Sequence, residues 1–113
     1  VDALRTKSVA LTEAFIACVE AGCGDAIALV SPRAAVQRGS QVCFAHPQAY
    51  PVMQALIEQG VIGDFRAPDI LRFGFAPLYV RHVDAVDAAT ALAEVLQAER
   101  WREERFQQRG KVT

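Results

Sequence analysis

The stretch VIGDFRAPDILRFGF, residues 61 to 75, decides the fold of this chain. Two apolar runs, VIGDF (61–65) and ILRFGF (70–75), flank Arg66-Ala67-Pro68-Asp69, a segment with turn chemistry. Runs joined so tightly predict an antiparallel hairpin, since a parallel crossover needs a far longer connection. One residue is out of character. Arg72 stands between Leu71 and Phe73, and side chains alternate along a strand, so it points away from the face those two bury. A guanidinium there either reaches solvent, pairs with an internal acid, or takes an anion from outside.

Outward from the hairpin, two more strands and three helices are expected. SQVCF (40–44) alternates, Val42 and Phe44 on one side and Gln41 and Cys43 on the other; AIALV (26–30) is a short apolar run before Ser31-Pro32-Arg33. Leu4, Ser8, Leu11, Phe15, Cys18 and Val19 recur at helical spacing, with Arg5, Thr12, Glu13 and Glu20 off the stripe, which predicts a helix over 1–22 ending at Gly22. His46-Pro47 opens a second helix with Val52, Met53, Leu56 and Ile57 inward, stopped by Gly60. Asp84 is read as the N-cap of a third, with Val86, Ala89, Leu92, Ala93 and Leu96 on one face, extending into ERWREER. The fold class is therefore α+β: one domain over 1–113, a small, mainly antiparallel sheet with helices packed on one face.

Composition narrows the function classes. The chain has 113 residues, 52% hydrophobic and 22% charged, with a formal charge of -1. That is a globular balance with no overall attraction for nucleic acid or an anionic membrane. No apolar run is long enough to span a bilayer. Cys18, Cys23 and Cys43 lack C-x-x-C spacing, and His46 and His82 lie far apart, so no metal site is expected and a cytoplasmic setting is natural. Arg100, Arg102, Arg105, Arg109 and Lys111 are interleaved with Glu99, Glu103 and Glu104, the pattern of a solvated helix. Trp101 and Phe106 are expected to pack on a neighbour or a partner. His46 is read as a support for the turn into the second helix, and Asp64 and Arg66, two apart on one strand face, as a local pair. No nucleophile motif or glycine-rich phosphate loop is present, so no catalytic residue is assigned.

Taken together, RGSQVCF (38–44) followed by His46-Pro47, GVIGDFRAPDILRFGFAPLYV (60–80) and VDAVDAATAL (83–92) resemble the C-terminal part of bacterial kynureninases. The opening LRTKSVALTEAFI is similar to the helix leading out of that family's large domain, and Ala76 departs from the threonine of many relatives. The resemblance implies the small domain of a pyridoxal-phosphate enzyme of the aspartate-aminotransferase fold (fold type I). The parent would be a cytoplasmic homodimer that hydrolyses L-kynurenine, or 3-hydroxykynurenine, in tryptophan catabolism. It further implies that Arg72 binds the substrate α-carboxylate. The cofactor lysine is expected in a preceding large domain, because neither Lys7 nor Lys111 matches the family's lysine motif, so these residues alone should be inactive and bind no cofactor. An aminotransferase or cysteine desulfurase of the same fold, or a non-catalytic α+β binding module, remain as alternatives.

Overall fold

A computed structural model of the chain describes residues 2–34, 39–75 and 80–107. In chain order the elements are α1 (Asp2–Cys23), β1 (Ala28–Leu29), β2 (Gln41–Ala45), α2 (Ala49–Glu58), β3 (Gly63–Arg66), β4 (Ile70–Gly74), α3 (His82–Ala98) and α4 (Glu104–Gln107), with 3-10 turns at Gly24–Ala26 and Arg100–Arg102. The four strands form one sheet in the order β1-β2-β4-β3, every neighbouring pair antiparallel. The expected α+β architecture is the one observed.

Alternation divides the sheet cleanly. Val42, Phe44, Leu71 and Phe73 are buried on one face, where Phe15 of α1 meets Phe44, Phe73 and Phe75 with ring centroids 6.1, 4.8 and 4.8 Å away. Edge-on and tilted ring contacts of this kind stabilise a core beyond the area they bury. Val52, Met53 and Leu56 of α2 and Ala85, Ala89, Leu92 and Val95 of α3 complete the same core. Phe106 is buried against it and Trp101 packs alongside, so both aromatic residues of the C-terminal segment find a neighbour within the chain.

Several local expectations shift. α1 runs through Gly22 to Cys23, and Gly24, at φ +56°, is the glycine that lets the chain turn out of the helix. Gly22 does something else: a Cβ there would stand 3.1 Å from the Ala93 Cβ, so its bare backbone admits α3. Thr12 is buried, its hydroxyl donating to the Ser8 and Val9 carbonyls, both at 3.1 Å, whereas Leu4 is exposed. Ile57 is exposed too, and α2 turns Ala49 and Ala55 inward. On α3 the buried stripe falls on Ala85 and Val95 in place of Val86 and Leu96. Arg81 is the N-cap residue of that helix, and Asp84, in its first turn, reaches back to accept from the Arg81 backbone N–H at 2.8 Å. The helix stops at Glu99, which adopts the left-handed conformation (φ 54°), so ERWREER forms a 3-10 turn and α4.

In the described part of that segment, Arg100 pairs with Glu94, Arg102 with Glu99, and Arg105 with Glu58 and Glu103, as a solvated mixed-charge surface requires. Arg109 and Lys111 lie outside the described residues, as do Val1, Arg38 of RGSQV and the Ala76–Tyr79 part of the APLYV segment. No described helix is long and apolar enough to cross a membrane.

Candidate functional site

The face of the sheet turned away from the helices carries a short row of polar residues. Register sets it: Cys43 of β2, Arg72 of β4 and Asp64 of β3 are directly opposite one another. Directly opposed residues project from the same side of a sheet. Arg72 is thus on the central β4, on the open face, as its place between the buried Leu71 and Phe73 requires.

Its guanidinium is held. Nε donates to Asp64 Oδ1 at 3.0 Å and Nη2 to Asp64 Oδ2 at 2.6 Å, a side-on bidentate pair. The Arg72 side chain is 25% exposed and that of Asp64 50%, so the arginine is the more sheltered partner. The hydrogen bonds that Arg72 donates to Asp64 raise its pKa further above any working pH. Arg66 approaches the same carboxylate, Nε lying 4.0 Å from Oδ1. The local Asp64–Arg66 pair is therefore present at ion-pair distance, while Arg72 makes two short hydrogen bonds to that carboxylate.

Arg72 lies outside a groove bordered by α3. A groove of about 600 Å³ runs between the end of α2, the end of β4 and α3, bordered by Val61, Ile62, Phe75 and Ala91, and does not include Arg72. The arginine stands apart from it, on the sheet face turned away from the helices.

His46 Nδ1 accepts from the Gln48 backbone N–H at 2.9 Å, supporting the turn into α2 as expected, and burial lowers its pKa. The Trp101 ring meets it edge-on, centroids 6.1 Å apart. His82 is exposed at the start of α3. The three cysteines are free thiols of intermediate exposure, with burial raising the pKa of Cys23. Among the described residues no three His, Cys, Asp or Glu side chains gather as a metal-ligand set. Nor do the described residues fit pyridoxal phosphate: Lys7 is exposed on α1, which packs on the opposite side of the sheet from Arg72, and Lys111 lies outside them.

Comparison with known proteins agrees with the sequence resemblance. Residues 4–92 match the family described as "Kynureninase C-terminal domain". The chain is 57% identical over 112 residues, 98% of its length, to the kynureninases of Burkholderia mallei (strain SAVP1) and Burkholderia pseudomallei (strain K96243). It is 50% identical over 111 residues, 97% of its length, to that of Pseudomonas fluorescens. In each case the chain spans 27% of the relative's length. The chain belongs to the kynureninase C-terminal domain family.

Proposed function

We propose that this chain serves as the C-terminal domain of a kynureninase, and that Arg72 binds the α-carboxylate of its amino-acid substrate. The reaction is hydrolysis of the Cβ–Cγ bond of L-kynurenine, in which kynurenine and water give anthranilate and L-alanine. The observation that carries this reading is the placement of Arg72 in a chain of this family. It is a fork-shaped donor on an inner strand of an open sheet face, which would make one wall of a cleft.

A second wall, supplied by a preceding large domain, would shelter the ion pair from water and strengthen it. Pyridoxal phosphate, the family's cofactor, would be held by that domain and would supply the electron sink for chemistry at the α-carbon. The role left to this chain is orientation. A two-point grip on the carboxylate fixes how the α-carbon is presented. A homodimer in the cytoplasm fits the same reading; the three free thiols are compatible with a reducing compartment.

The test uses the full-length enzyme carrying this segment, with pyridoxal phosphate present and anthranilate followed by fluorescence. Arg72→Ala is expected to lower kcat/KM for L-kynurenine by at least about thirtyfold, as when one partner of a charge pair is truncated. Near-normal kinetics would refute the clamp. Absence of anthranilate from a folded, cofactor-loaded wild-type enzyme would move the activity to another reaction of the same fold.

A further inference from the structure

We propose that Asp64 is the positioning residue of this clamp: it ties down the Nε–Nη2 edge of Arg72 and leaves the Nη1–Nη2 edge for the incoming α-carboxylate. The inference rests on the reading of Arg72 given above and goes beyond it.

A guanidinium carries five N–H donors in a plane, and two of its edges can each grip a carboxylate with a parallel pair of hydrogen bonds. Asp64 occupies the side edge, through Nε at 3.0 Å and Nη2 at 2.6 Å. Among the described residues Asp64 leaves one Nη2 hydrogen and both Nη1 hydrogens, and that Nη2 hydrogen with one of the Nη1 hydrogens makes the second two-point edge. Asp64 can hold the fork because it is directly opposite Arg72 across the β3–β4 ladder, on a backbone fixed by four successive residue pairs. On the other flank Cys43 is short and offers only a weak acceptor.

An acid beside an anion-binding arginine has a cost, since it repels the anion. Arg66 offsets it. With Arg66 Nε 4.0 Å from the Asp64 carboxylate, two guanidiniums share one acid and the trio keeps a net charge of +1. Orientation is then the larger effect: an arginine left free must be immobilised at the moment of binding, and one already tied down need not be.

In the full-length holoenzyme, L-kynurenine and its α-carboxamide are compared as substrates in wild type, Arg72→Ala, Asp64→Ala and Asp64→Asn. The ratio of kcat/KM for acid over amide is internal to each variant, so a partly misfolded fraction cancels. Asp64→Ala is expected to raise KM for the acid about tenfold with kcat changed by about twofold or less, and to leave the amide unaffected. Asp64→Asn, which retains one acceptor, falls between it and wild type. An unchanged acid-to-amide ratio in Asp64→Ala, or a lower KM for the acid, would overturn the positioning role; the lower KM would mark Asp64 as a competitor for the fork. If Arg72→Ala keeps the wild-type ratio, the clamp itself is refuted and this inference goes with it. Loss of the ratio in Arg72→Ala alone would refute only the role of Asp64.

Discussion

Replacing Gly63 by alanine tests whether the sheet geometry beneath the site is as tight as it looks. Gly63 opens β3 on the helix-facing side of the sheet, opposite Phe73. A Cβ there would stand 2.8 Å from the Arg72 carbonyl oxygen, 3.0 Å from Met53 Cε and 3.3 Å from Met53 Sδ. The methionine is flexible and can move aside. The Arg72 carbonyl belongs to the central strand and moves only if β3 or β4 moves, by about half an ångström for an ordinary contact distance. Overpacking of this kind costs about 1–3 kcal/mol. Alanine recovers about 0.5–1 kcal/mol by restricting the unfolded chain. Taken at the middle of both ranges, the net loss is about 1.3 kcal/mol, which for a domain of this size lowers Tm by about 5 °C. Thermal unfolding followed by circular dichroism checks it, with Gly74→Ala as control: among the described residues nothing lies within 4 Å of a Cβ at Gly74, so its Tm should hold or rise slightly. A Gly63→Ala protein as stable as wild type would refute the argument. It would mean that the edge strand yields easily, and a yielding strand is a poor support for Asp64.

Two further outcomes follow from the core and the His46 turn. Phe15 is fully buried among three other rings, so Phe15→Ala should cost about 3–5 kcal/mol, a large share of a domain's stability, with a matching fall in the urea midpoint. His46 has its pKa lowered by burial, below its ordinary value of 6.5, so the unfolded chain binds the proton more tightly. Its stabilising contribution is full above pH 6.5 and is lost as pH falls from there through the folded-state pKa. His46→Asn keeps an acceptor for the Gln48 N–H and should flatten the fall of Tm over that window; an unchanged slope would assign it to other groups.

The sequence made the sheet legible because alternation and turn chemistry are local signals, and they agree in β2, β3 and β4. The helices were less sharply drawn. α3 packs against α1 as well as facing the rest of the core, and its alanines can serve either contact, so a stripe through Val86 and Leu96 reads as well as the one through Ala85 and Val95. Thr12 reads as a polar, outward residue, but its hydroxyl is satisfied by the preceding turn of its own helix and can therefore be buried. Gly22 and Gly24 are two residues apart, and both could end a helix; only the packing of Ala93 shows which one is needed for closeness.

The site divides in the same way. Arg72 was visible from its neighbours alone, whereas its tie to Asp64 depends on strand register, which residue-by-residue pairing does not supply. Asp64 and Arg66 are two steps along one strand, roughly 7 Å apart, while directly opposed residues on neighbouring strands stand about 5 Å apart. A turn drawn over residues 66–69 would set Phe65 opposite Ile70 and Asp64 opposite Leu71, mixing inward and outward residues across the ladder. In the structure Arg66 pairs with Ile70 and the turn spans only residues 67–69, which sets Phe65 opposite Leu71 and Asp64 opposite Arg72. The signal that finds Asp64 is therefore present in the sequence: apolar faces must match across the hairpin, and a one-residue slip turns every side chain of β3 to the wrong side. The Phe65–Leu71 match on the buried face and the Asp64–Arg72 match on the open face are one constraint seen from its two sides. A substitution that moves the register, not merely one that removes the carboxylate, should disarm the clamp.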